Sequence, residues 1–237
     1  MAVNLKSTLG LTTSGVKVLV YGPSGAGKTH IIKTLPSPII LSAEAGLLSL
    51  QKENLPYIEI SDLSTLMEAY TWIMESEEAR QFKSVALDSI SEIAECVLNV
   101  EKKMQKDGRA AYGSMNDTMG EVIRHFRDIP NRHVYFSAKM EKTQDEMGRV
   151  LYGPSMPGSR LAQGLPYFFD EVLALRVERN SDGEVQRALM TDTDGLWTAK
   201  DRSGKLSFWE GVDLGMIIRK IGGEVDEERT DSDSTPV

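Results

Sequence analysis

The chain has 237 residues, 41% of them hydrophobic and 26% charged, which suits one soluble α/β domain with a sizeable core. No apolar run approaches the roughly 18 residues of a membrane span, and the first 17 residues lack the apolar stretch of a secretory signal. A single cysteine, Cys96, excludes an internal disulfide framework, so the expected location is cytoplasmic, with no membrane partner.

Strand and helix signals alternate along the chain in the manner of a mostly parallel sheet flanked by crossover helices. Residues 16–21 read as a first strand and 29–35 as its helix, with Pro36 and Pro38 as punctuation before a strand at 39–43. A short strand at 57–60 leads into a helix ending at Ser76, with Leu63, Leu66, Met67, Tyr70 and Ile73 at helical spacing. Residues 83–88 are a strand and 89–106 a helix, with Ile90, Ile93, Ala94, Val97 and Val100 on one stripe and Cys96 as a small core residue. A glycine-containing segment, 107–116, interrupts before a further helix to Asp128. Residues 133–138 form the next strand, and 139–160 a long loop or hairpin. Residues 169–178 and 185–191 alternate as strands around Asn180-Ser181-Asp182-Gly183, a hairpin signal. From Glu224 to Val237 six acidic residues face one arginine, a net of −5, so the remainder carries only −3 of the total −8. Residues 223–237 therefore read as a disordered acidic tail, either a solvated end or a competitor for a basic groove, and the net charge does not settle the partner.

The first strand runs into Gly22-Pro23-Ser24-Gly25-Ala26-Gly27-Lys28-Thr29, which fits the phosphate-loop pattern G-x-x-x-x-G-K-[ST] at every fixed position. Small residues in such a turn let consecutive backbone N–H groups face phosphate oxygens, and the following helix adds its positive end. Lys28 is placed to reach the β- and γ-phosphates and the Thr29 hydroxyl to sit on Mg²⁺, with ATP as the nucleotide. His30 follows on the helix and is counted with the nucleotide-binding run, not as a catalytic group. Val85-Ala86-Leu87-Asp88 has the Walker B form, an apolar strand ending in an acid, with Asp88 supporting Mg²⁺ directly or through water. Ser89 follows Asp88 where many ring ATPases carry a glutamate. A carboxylate comes instead from Glu44, after the strand at 39–43: a parallel strand beside the first brings it to the nucleotide edge, where it orients or deprotonates the attacking water. The alternative for Glu44 is a helix N-terminal charge.

Strand, phosphate loop, helix, a strand ending in Ala43-Glu44 and a strand ending in Leu87-Asp88-Ser89 resemble the ATPase core of RecA-type recombinases. Tyr152-Gly153-Pro154-Ser155-Met156-Pro157-Gly158 and Thr198-Ala199-Lys200-Asp201-Arg202-Ser203-Gly204 resemble the small phage-encoded, RecA-like, Sak-type single-strand annealing ATPases. The resemblance covers about residues 14–210 and implies one RecA-like ATPase domain, expected over residues 1–222. It makes Ser137 and Lys139, at the end of the strand beginning at His133, a γ-phosphate sensor, although the usual glutamine is missing. It also implies two loops that contact single-stranded DNA, at 106–115 and 142–160, carrying Lys106, Arg109 and Tyr112, then Lys142, Arg149, Tyr152 and Arg160. Basic groups beside a lone aromatic suit phosphate tracking and base stacking. Lys200 and Arg202, two apart on an extended strand, would reach a neighbouring subunit's γ-phosphate, with Lys205 as substitute, and so imply a homo-oligomer, a ring or a filament. The implied setting is phage recombination or annealing in a bacterial cytoplasm, beside a single-strand-binding protein. Two other classes stay open: a phosphotransferase of nucleoside-kinase type, and a non-enzymatic nucleotide switch in replication.

Overall fold

The computed structural model describes residues 15–44 and 46–222. The acidic tail lies outside the described residues. No described helix is long and apolar enough to cross a membrane.

Among the described residues the ten strands are β1 Lys17–Tyr21, β2 Pro38–Ser42, β3 Tyr57–Glu59, β4 Ser84–Asp88, β5 His133–Gln144, β6 Val150–Ser155, β7 Glu171–Arg179, β8 Val185–Met190, β9 Lys200–Asp201 and β10 Trp209–Glu210. The α-helices of the described residues are α1 Leu63–Glu75, α2 Ile90–Met104, α3 Gly108–Arg127, α4 Ser159–Gly164 and α5 Leu214–Gly222. The sheet runs β10-β8-β7-β1-β5-β4-β2-β3 and is parallel from β7 to β3. The β7–β8 and β8–β10 pairs are antiparallel and close one end. The central strands β1, β2 and β4 are buried along their whole length, as a sheet covered on both faces requires. Helices α1 to α4 and their apolar stripes fill one face, with Leu66, Ile93, Met119 and Phe126 in its core. The other face holds Ile31 and Ile32 after the phosphate loop and Leu214, Ile217 and Ile221 of α5.

Local chemistry sets the boundaries. The Asp62 carboxylate caps α1 by accepting from Thr65 N at 2.8 Å, and Ser89 caps α2 by accepting from Glu92 N. Val100 departs from the expected stripe: it is exposed, and the buried face of α2 continues through Leu98 instead. Cys96 is only partly buried. The segment read as an interruption at 107–116 is mostly helix. Asp107 caps α3, and Ala111, Met115, Met119, Val122 and Phe126 bury one stripe that outweighs the low propensity of Gly108, Gly113 and Asn116. After the phosphate loop the expected α-helix is a short 3-10 helix, His30–Thr34, because Leu35 turns extended ahead of Pro36. Strand β5 continues past the sheet as a hairpin with β6, which fills part of the stretch read as loop or hairpin.

Glu171 opens β7 opposite Asp201 of β9, is buried, and has a carboxyl oxygen without a hydrogen-bond partner among the described residues. Burial first, then the neighbouring Asp201, pushes its carboxyl up to about 8. The folded chain thus keeps a proton that the unfolded chain sheds near the ordinary carboxylate range. Stability falls as pH rises from that range to about 8, then levels off, because both states are ionised above it. Glu171→Gln removes the titration and offers an amide donor to Asp201. The variant is expected to be more stable than the wild type at about pH 9, by on the order of a few kcal/mol and with a higher melting temperature, and to converge with it at about pH 4. Melts across that range check it; parallel curves would place the strain elsewhere.

Candidate nucleotide site

The six parallel strands, β7, β1, β5, β4, β2 and β3, run toward one edge, where open α/β sheets bind ligands. Strand β1 enters the loop at Gly22. A Cβ there would lie 2.8 Å from the Leu175 carbonyl oxygen of β7, so the loop root is pressed against its neighbour strand. Gly25 and Gly27 sit at φ 75° and 110°, backbone that L side chains rarely adopt. Such a turn forms a concavity of N–H groups suited to an anion. The Lys28 ammonium donates to the carbonyls of Gly22 at 2.9 Å and Pro23 at 3.1 Å. Burial lowers its pKa, opposed by the charges of Glu44 and Asp88. The buried Tyr135 hydroxyl donates to the Lys28 carbonyl at 2.7 Å and fixes the loop from β5.

Strand β5 lies between β1 and β4, so it stands between the loop and Asp88. The Thr29 hydroxyl donates to Asp88 Oδ2 at 2.7 Å, and the Ser137 hydroxyl donates to Asp88 Oδ1. Asp88 is buried and ends β4, and the peptide bond to Ser89 is cis. The Ser89 hydroxyl donates to Glu44 Oε1 at 2.6 Å, and Ser42 Oγ donates to the Glu44 carbonyl at 2.7 Å. Strand β2 is not beside β1, as the sequence suggested; it pairs with β4 and β3. Parallel packing still brings Glu44 to the shared edge, because Ser42 stands in register with Asp88. Lys28, Thr29, Asp88, Ser137 and Glu44 therefore converge. A hydroxyl and a carboxylate beside an anion-binding loop are the donor set that Mg²⁺ with a nucleoside triphosphate requires, and these residues fit it.

The remaining expected residues lie apart from this cluster. His30 is exposed, its Nδ1 3.3 Å from the Ser49 carbonyl. The Lys139 ammonium is held by Glu92 and Glu95 of α2, each at 2.8 Å, which engages its charge there. Lys200 donates to the carbonyls of Pro166 and Phe169, Arg202 pairs with Asp170 at 2.8 Å, and Lys205 donates to the Ile221 carbonyl. Tyr112 lies on α3, with the Lys102 ammonium 5.2 Å from its ring centre and the ring against Gly158. Lys106 precedes α3, Arg109 is in its first turn, and Arg160 is exposed at the start of α4. Gly158 thus joins the two segments expected to form separate loops. On the hairpin, Arg149 pairs with Asp145 at 2.7 Å, and Lys142 lies 5.6 Å from the centre of the Tyr152 ring. Tyr152 is not a lone aromatic: its ring stacks on Trp197 at 4.2 Å and 7°. The Tyr21 hydroxyl, at the end of β1, donates to the Tyr152 carbonyl at 3.2 Å.

The sequence reading missed Tyr135, Ser89 and Arg187. Arg187 Nε donates to the Ala26 carbonyl inside the phosphate loop at 2.9 Å. No motif marks it. Only its parity with Leu189, which packs in the core on the loop's face of the sheet, points that way.

A strand–phosphate-loop edge, a carboxylate at the end of a non-adjacent strand and a second carboxylate beside it define a P-loop nucleoside triphosphatase. Residues 14–203 match the AAA domain family, and the chain belongs to that family. No curated protein sequence matches it. Among solved structures, a prototypical ATPase from the type III secretion system of pathogenic bacteria aligns at 14% identity with a TM-score of 0.48, over 68% of this chain and 52% of its own. This chain thus spans about half the length of that ATPase. None of these comparisons points to the Sak-type proteins.

Proposed function

We propose that the chain is a Mg²⁺-dependent ATPase that binds single-stranded DNA and serves strand annealing or recombination of the phage type. The observation that carries the ATPase reading is the hydrogen-bonded series Thr29–Asp88–Ser137, with Glu44 held by Ser89 at the same edge. Mg²⁺, held by Thr29 and Asp88, would neutralise phosphate charge. Lys28 leaves the carbonyls of Gly22 and Pro23 to pair with the β- and γ-phosphates. Glu44 orients water toward the γ-phosphate and accepts its proton as the new P–O bond forms, while the bond from the γ-phosphorus to the β-phosphate oxygen breaks and ADP leaves. Ser137, already bound to Asp88, senses the terminal phosphate, and Lys139 does so only on release from Glu92 and Glu95.

The DNA reading draws support from the meeting of Tyr112 and Gly158, which gathers Lys106, Arg109 and Arg160 near one seam. It also draws on the hydrogen bond from Tyr21, which ties the hairpin bearing Lys142, Arg149 and Tyr152 to the loop root. Nucleotide binding would bias both segments and so couple the γ-phosphate to DNA affinity. Completion of the site in a homo-oligomer falls to Arg202, exposed and held by one ion pair, more readily than to Lys200, whose ammonium is half-buried against two carbonyls. A single-strand-binding protein is the expected partner on the DNA.

The testing experiment is Mg-ATP hydrolysis with and without single-stranded DNA at several protein concentrations. DNA stimulation that rises faster than linearly with protein is the expected result. Turnover indifferent to DNA would remove the coupled reading. A second reading, phosphoryl transfer to a small acceptor, is favoured by a crevice of about 740 Å³ that Glu44 lines together with Ser42, Gln51, Asn54, Tyr57 and Ser61. ADP production that needs an added hydroxyl acceptor would select it.

A further inference from the structure

Arg187 is a basic side chain at the phosphate loop that neither the motif nor the proposed catalytic steps use. Side chains alternate along β8, and Leu189 packs into the core on the loop's face of the sheet, so the same face presents Arg187 two residues earlier. Arg187 stands opposite Val177 of β7, and β7 lies beside β1. The hairpin therefore touches the loop at two points. The Leu175 carbonyl packs under Gly22, and Arg187 Nε donates to Ala26 O at 2.9 Å. A Cβ added to Gly27 would lie 3.9 Å from the same nitrogen, which places the guanidinium against the Ala26–Gly27 peptide. In a trans peptide the C=O and the next N–H point in opposite directions. With the Ala26 carbonyl drawn toward β8, the Gly27 N–H is turned the other way, across the loop. The other guanidinium nitrogens of Arg187 have no hydrogen bond or ion pair among the described residues, and the side chain is exposed.

We propose that Arg187 is a positioning residue for nucleotide binding. It orients the Ala26–Gly27 peptide so that the loop presents its N–H groups to phosphate, and it places a positive charge at the loop rim. This rests on the reading of the loop as a nucleotide site. The effect is on the loop, which ATP and ADP both use through the β-phosphate. Arg187 thus sets affinity for both and leaves the chemical step alone.

The test measures ATP and ADP dissociation constants with a fluorescent nucleotide, steady-state kcat, and the nucleotide-free melting temperature. The proteins are the wild type, Arg187→Ala, Arg187→Lys and Lys28→Ala, each as the full chain. Arg187→Ala is expected to weaken ATP and ADP alike by about tenfold or more, with kcat at saturation within about threefold. Arg187→Lys, which keeps a charged donor for Ala26 O, is expected to recover most of the affinity, and the nucleotide-free melting temperature should not move. Unchanged affinity in Arg187→Ala, or a fall in kcat with affinity intact, overturns the assignment. A fall in the nucleotide-free melting temperature of Arg187→Ala that matches the affinity loss also overturns it, since the residue would then be structural. Failure of the underlying reading looks different: wild type would not bind nucleotide, or Lys28→Ala would bind as well as wild type.

Discussion

Glu44→Gln is expected to lower kcat for ATP hydrolysis by about 10²- to 10⁴-fold while leaving Mg-ATP affinity within about threefold. The glutamine keeps an oxygen that can accept from the Ser89 hydroxyl, which donates to Glu44 at 2.6 Å, so the side chain stays where β2 delivers it. What it loses is the charge and the capacity to take a proton from water. The same charge opposes the burial that lowers the Lys28 pKa, so weaker support for that cation is expected to show as a small fall in affinity, within that threefold. Phosphate release under saturating Mg-ATP, with nucleotide binding measured separately, checks the split. A kcat equal to that of the wild type would move the base elsewhere and favour the helix-terminal role for Glu44.

Lys28→Ala carries the other large effect. Binding of ATP is expected to weaken by about 10²-fold or more, and hydrolysis to fall with it, because the cation that pairs with the β- and γ-phosphates is gone. Folding should be spared. The Lys28 ammonium donates only to the carbonyls of Gly22 and Pro23, and burial already disfavours its charged form. A nucleotide-free melting temperature equal to that of the wild type, with no upward shift on adding Mg-ATP, is the expected signature. Retained turnover would overturn the phosphate-loop assignment.

Residue order in the sequence carries most of the nucleotide edge. The fixed glycines, Lys28 and Thr29 are a contiguous motif, and Asp88 ends an apolar run, so each could be placed from local pattern and the same-edge geometry of a parallel sheet. The sheet order could not. That β5 lies between β1 and β4 follows from pairings across distant residues, and it alone explains why Ser137 meets Asp88. Local propensity misled at α3, where glycines hid a helix that tertiary burial stabilises. It misled again at the 3-10 helix His30–Thr34, cut short ahead of Pro36. Tyr152 looked solitary because its stacking partner, Trp197, comes from a separate segment. Arg187 was invisible for the same reason: a side chain that meets Ala26 across the sheet leaves no periodic trace.

The placement of β1 between β5 and β7 bears on how the chain matures. The motif precedes both of the strands that flank β1, which has no strand partner until residues 134–138 and 171–174 follow. Contacts between such distant segments cost loop-closure entropy before they return any stabilisation, which slows folding. During synthesis the phosphate loop therefore emerges before its flanking strands and is seated only after them, once Leu175 has come to rest under Gly22 and Arg187 on Ala26. A nascent chain stopped before β8 would carry the whole motif without the wall that shapes it. Nucleotide capture would then mark completion of the domain, not its beginning.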